Sequence, residues 1–129
     1  MSEKKKILLV DDDPDFVEAV KVIVEKGGYD VKVAYDGQEG LEAVAEEKPD
    51  LIVLDVMMPV MNGHEACAKL KKNKETAEIP IILLTAVADR VTTSTYTHRD
   101  MLESEADDYI PKPVEPKELL ELIKNWVKK

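Results

Sequence analysis

The sequence predicts a doubly wound α/β domain: five parallel strands joined by right-handed helical crossovers. Three observations carry this. Short apolar runs alternate along the chain with segments of helical period. The runs are continuous rather than period-2, as in strands buried on both faces. The 129 residues make one domain, long enough to bury a core without staples.

The β-rich runs are Ile7 to Val10, Val31 to Ala34, Leu51 to Leu54 and Ile79 to Leu84, with a weaker fifth at Tyr109-Ile110 after Asp107-Asp108. Between them, Phe16, Val20, Ile23 and Val24 share one helix face, and Leu41, Val44 and Ala45 share another. Ala66 and Leu70 mark a third, lysine-rich helix, and Leu119, Leu122, Ile123, Trp126 and Val127 a last one. Gly27-Gly28 ends the first helix and Pro49 follows the second. The stretch 86–97 includes Thr92-Thr93-Ser94-Thr95-Tyr96-Thr97, which is weak helix material and predicts a loop or distorted turn. Thr97 is placed to cap a short helix over His98 to Ser104. No linker, repeat or low-complexity segment divides the chain, so residues 1–129 are expected to form one domain with no effector attached.

Composition narrows the function. Eighteen basic against 27 acidic side chains leave a formal charge of −9, which argues against nucleic-acid binding. One cysteine excludes an internal disulfide framework and a multi-cysteine metal site. The apolar runs are too short to span a membrane, and the lysine-rich start lacks the apolar region of a secretory signal. The expectation is a soluble, cytoplasmic protein, a monomer or weak dimer.

Ligands of parallel α/β sheets bind at the carboxyl ends of the strands. Asp11, Asp12 and Asp13 follow the first run, Asp55 the third, Thr85 the fourth and Lys112 the fifth. Carboxylates gathered this closely repel, so the set needs a cation. All-oxygen ligands suit magnesium, with manganese as a substitute. A carboxylate can act as a nucleophile toward phosphorus, and a lysine and a hydroxyl are donors to phosphoryl oxygens. The chemistry indicated is magnesium-dependent phosphoryl transfer onto an aspartate.

The remaining polar residues read more plainly. Asp13 and Asp15, flanking Pro14, suit a helix start. The run Asp11 to Asp15 mimics a calcium loop, but Phe16 stands where the sharp turn needs glycine and Val22 where the bidentate glutamate belongs. Cys67 reads as a small buried residue. His64 and His98 lack the partners of a zinc site. Trp126 reads as the anchor of the last helix, and Lys69 to Lys74 as a solvated helix end.

Four motifs, ILLVDDDP (7–14), LIVLDVMMPVMNG (51–63), PIILLTA (80–86) and DDYIPKPV (107–114), make the chain resemble the receiver domain of two-component response regulators along its whole length, in the stand-alone, chemotaxis-type form. The resemblance implies a flavodoxin-like strand order 2-1-3-4-5 with helices on both faces. It implies that Asp55 is the phosphoacceptor, fed by a histidine kinase. Asp12 would bind Mg²⁺ directly, Asp11 largely through water, and the Met57 backbone carbonyl would add a ligand. Thr85 would hydrogen-bond a phosphoryl oxygen, and Lys112 would pair with the phosphoryl group or, beforehand, with Asp55. The Lys112–Pro113 bond would be cis, and Gly63 would permit the loop into the third helix. Tyr109 would be the switch aromatic, repacking the 86–128 face for a target protein or a phosphotransfer domain. Such a domain promotes only its own phosphorylation and dephosphorylation, so it is not an enzyme in the usual sense. Without an effector, output must pass through a protein partner.

The chain departs from the family pattern in two places. Thr85 and Lys112 stand 27 residues apart, longer than usual, with the surplus in the Thr-rich stretch. An unusual fourth helix with its own partner surface follows. Met57 and Val87, flanking the phosphoryl position, are apolar and cannot orient a hydrolytic water, which predicts a persistent phosphoryl group. Two rival readings remain: a phosphorelay intermediate, and a haloacid dehalogenase-type phosphatase with Asp11 as nucleophile and Asp13 as acid. The second leaves Asp55 without a role. A pseudo-receiver is disfavoured by the complete set Asp11, Asp12, Asp55, Thr85 and Lys112.

Overall fold

A computed structural model of the chain describes residues 4–56, 63–85, 106–112 and 114–127. Among these, the order is β1 (Lys6–Val10), α1 (Pro14–Lys26), β2 (Asp30–Ala34), α2 (Gly37–Glu46), β3 (Leu51–Asp55), α3 (Gly63–Lys72), β4 (Ile81–Thr85), β5 (Asp108–Pro111) and α4 (Pro116–Val127). All four strand pairings are parallel, in the order β2-β1-β3-β4-β5. The fold is the flavodoxin-like one expected. The 86–97 stretch, the helix expected at His98 to Ser104, Met57, Val87 and the Lys112–Pro113 bond fall outside the described residues.

Strand alternation divides the core into two layers. Leu8, Val10, Ile52, Leu54, Ile81 and Leu83 face Val44, Ala66, Cys67 and Leu70 of α2 and α3. Ile7, Leu9, Leu51, Val53, Ile82, Leu84 and Ile110 face Val17, Val20, Val24, Leu119 and Ile123 of α1 and α4. The central strands are buried on both faces, and each such side chain contributes about 1.5–3 kcal/mol of burial. Gly40 packs closely on β1: a Cβ there would come within 3.1 Å of Val10 Cγ2. Gly28 adopts φ +100° after α1, a conformation that favours glycine.

Several expectations need correction. β2 is not buried on both faces. It is an edge strand in which Val31 and Val33 point inward and Lys32 outward, pairing with Glu46 at 3.2 Å. The α1 stripe centres on Val17, Val20 and Val24, with Phe16 and Ile23 on its margins. In α2, Ala43 is buried in place of Ala45. Lys71 is not solvated. Its ammonium donates to the carbonyls of Ala77 (3.1 Å) and Ile79 (3.0 Å) and to Asp107 Oδ2 (2.8 Å). Trp126 does anchor α4: it packs on the α1 layer and its indole N–H donates to Asp108 Oδ2 at 3.0 Å.

Candidate functional site

The carboxyl edge of the sheet collects the residues expected there. Asp11 continues the β1–β2 ladder, its N–H donating to Ala34 O at 3.1 Å. Lys112 continues the β4–β5 ladder, its N–H donating to Thr85 O at 2.7 Å. Counting in twos, Asp11 falls in line with Ile7 and Leu9, Asp55 with Leu51 and Val53, and Lys112 with Ile110. All three therefore share the α1 side of the sheet edge. Thr85 lies in line with Ile81 and Leu83, on the other side, and is buried at the end of β4.

The α1 entry shapes the cluster. Asp13 caps the helix, accepting from the backbone N–H of Asp15 (3.0 Å) and Phe16 (3.4 Å), with Pro14 in the first turn. Asp13 in turn donates its N–H to Asp11 Oδ1 at 3.0 Å, which fixes the Asp11 carboxylate. Asp13 thus serves as the helix cap. The next helix is capped likewise: Asp36 accepts from Glu39 N (2.8 Å), and Glu39 accepts from Tyr35 N (2.9 Å). The D-G-Q-E spacing carries this cap in the sequence, with Glu39 reaching the N–H one residue before the cap rather than that of Asp36 itself.

Carboxylate oxygens of Asp11, Asp12 and Asp55 lie within 4.8 Å of one another. Asp11 and Asp55 are buried and Asp12 is exposed. The Lys112 ammonium stands 2.9 Å from Asp11 Oδ2 and 3.4 Å from Asp55 Oδ1. Its nearer partner is Asp11 rather than Asp55. The Asp11 contact is an ion pair off the line of a good hydrogen bond, and Oδ2 is buried without a hydrogen-bond partner. Burial is the largest influence on Lys112 and acts against its charge. The combined pull of Asp11 and Asp55 outweighs it and raises the pKa above the usual lysine value. Three carboxylates gathered around a single ammonium, two of them buried, fit a divalent cation with oxygen ligands.

The sequence missed one contact here. Lys112 Nζ lies 4.5 Å from the centroid of the Phe16 ring. The spacing marked Phe16 only as part of a helix face. Nothing local signals that a residue of α1 meets the end of β5. Tyr109 is half-buried against the α2–α3 layer, opposite Leu83 in the β4–β5 register.

A flavodoxin-like sheet with three carboxylates, a threonine and a lysine at its carboxyl edge defines a receiver-type signalling domain. The comparisons agree. Residues 7–124 match the model of the response regulator receiver domain. The chain is 42% identical over 117 residues to the DNA-binding response regulator MtrA of Mycolicibacterium smegmatis, covering 91% of this chain and 48% of MtrA. A crystal structure of a putative response regulator from Chloroflexus aurantiacus superposes with TM-score 0.89 at 31% identity, covering 98% of this chain and 100% of that one. The receiver domain of a sensor histidine kinase from Pseudomonas aeruginosa, solved with a magnesium ion coordinated in its active-site cleft, gives TM-score 0.87 at 26% identity, covering 98% of this chain and all of the other. The chain belongs to the response regulator receiver domain family, and its function is that of a receiver in two-component signalling. It spans about half the length of the curated relatives it matches. No helix among the described residues is long and apolar enough to cross a membrane.

Proposed function

We propose that this receiver accepts a phosphoryl group on Asp55 from a histidine kinase. A carboxylate oxygen of Asp55 attacks the phosphorus of a phosphohistidine as the P–N bond breaks. The imidazole leaves and takes a proton from solvent, and Asp55 becomes an acyl phosphate. Asp11, Asp12, Asp55 and the Met57 carbonyl would hold Mg²⁺, or Mn²⁺ in its place. That ion supplies neutralisation of phosphoryl charge when bound. Lys112 transfers its ammonium from the carboxylates to a phosphoryl oxygen, and the Thr85 hydroxyl donates to another. The observation that carries this reading is the convergence of Asp11, Asp12 and Asp55 within 4.8 Å beside Lys112.

Movement of Thr85 toward the phosphoryl group would free space for Tyr109 and bias a two-state repacking of the 86–128 face. That face is read by a downstream protein. The domain turns over no separate substrate, works in the cytoplasm, and does not itself contact nucleic acid, in keeping with its charge of −9.

The test is incubation with acetyl phosphate and Mg²⁺, followed by mass spectrometry of the intact protein and of its peptides. Wild type gains one phosphoryl group at Asp55, and Asp55→Asn gains none. Modification at Asp11 would overturn the assignment. Transfer of the group onward to the histidine of a phosphotransfer domain would mark a relay intermediate.

A further inference from the structure

Among the described residues the Lys112 ammonium has three neighbours of two kinds. Two are the carboxylates of Asp11 and Asp55, at 2.9 and 3.4 Å. The third is the face of Phe16, 4.5 Å from ring centroid to Nζ. A carboxylate competes with an incoming phosphoryl group for the ammonium protons. An aromatic face does not. It attracts the cation through its quadrupole, imposes no hydrogen-bond direction and leaves the charge unneutralised.

The ring is held in place from several sides. Asp13 caps the first turn of α1 and accepts the Phe16 N–H itself. The ring is half-buried against the α1–α4 layer of the core. Lys112, by contrast, ends a long flexible stem that rotates freely unless something holds it.

We propose that Phe16 is a positioning residue for the phosphorylation reaction: its ring face keeps the Lys112 ammonium at the site while that ammonium exchanges Asp11 for a phosphoryl oxygen on Asp55. This rests on the reading of Asp55 as acceptor and Lys112 as its partner. If Phe16 instead serves only to cover the core, any side chain of similar volume serves equally well. The electron density of the ring separates the two cases, because fluorination weakens the quadrupole at nearly constant shape.

The experiment measures beryllofluoride affinity in Mg²⁺ by calorimetry. The proteins are wild type, Phe16→Leu, Phe16→Tyr, Lys112→Ala and a series with mono-, di- and trifluorophenylalanine at position 16. Urea midpoints control for folding. Affinity is expected to fall stepwise along the fluorinated series, by about three- to tenfold at its end, with unchanged urea midpoints. Phe16→Leu should lose as much, and Phe16→Tyr should retain wild-type binding. In the metal-free protein, the Lys112 ε-methylene protons should show an upfield ring-current shift that Phe16→Leu removes. A flat fluorinated series with a strong loss in Lys112→Ala would overturn the role of Phe16 and leave the site reading intact. No loss in Lys112→Ala would overturn both.

Discussion

Lys71 Nζ lies 2.8 Å from Asp107 Oδ2, joining the last turn of α3 to the residue before β5 across 36 positions of sequence. Asp107 also accepts the Ile81 N–H at 2.8 Å, at the start of β4. One ion pair thus knits α3, β4 and β5 at the edge of the sheet opposite the carboxylate cluster.

Removing the ammonium strands these acceptors. The Lys71 side chain is 10% exposed and that of Asp107 27%, so water reaches Asp107 only in part. Lys71→Met is expected to lower stability by about 2 kcal/mol, below the 3–5 kcal/mol of a fully buried pair. Urea denaturation checks this. A change within about 0.5 kcal/mol would mean the pair is as weak as a surface one.

Magnesium should stabilise the fold. It relieves the repulsion among Asp11, Asp12 and Asp55 that a single ammonium only partly offsets. At a hundredfold excess over Kd the gain is about 2.7 kcal/mol, read as a rise in Tm that EDTA reverses. Asp12→Ala should keep the metal-free Tm, because Asp12 is exposed, and lose most of the rise. An equal rise in both proteins would place the ion elsewhere.

The raised pKa of Lys112 has a defined sign. The folded state binds the proton more tightly than the unfolded state. Its contribution is therefore fully present below the unfolded value, about 10.4, and is lost as pH rises through the higher folded value. In EDTA, wild type should lose stability above about pH 10.4 more steeply than Lys112→Met. Denaturant midpoints between neutral pH and the alkaline limit show it. Parallel curves would remove Lys112 from the balance.

In the proposed reading Met57 and Val87 would flank the phosphoryl group, and apolar side chains there would orient no water for attack on it. Phosphorylated wild type should decay roughly tenfold or more slowly than a Met57→Asn/Val87→Glu variant in Mg²⁺. Quantifying the acyl phosphate over time settles the order, and faster loss from wild type would contradict it.

Much of the fold was legible because it is local. Ile7 to Val10 and Leu51 to Leu54 are buried on both faces, as their unbroken apolar composition requires. Asp13-Pro14 starts α1, and Gly27-Gly28 ends it. β2 misled because Lys32 interrupts its run, and an edge strand tolerates an outward lysine that a central one excludes. Lys71 misled because a lysine-rich helix end resembles a solvated one until β4 and β5 supply its acceptors.

By itself the sequence determined that three carboxylates, a threonine and a lysine end their strands. A parallel sheet then brings them to one edge whatever the side-chain details. Tertiary structure alone decided that Lys112 stands nearer Asp11 than Asp55, that Asp11 Oδ2 is buried without a hydrogen bond, and that Phe16 faces the ammonium. Periodicity acts within an element, and strand ends follow from it. Contacts among β1, α1, β3 and β5 depend on which elements pack together and how their side chains divide the space, and no fixed spacing along the chain encodes that.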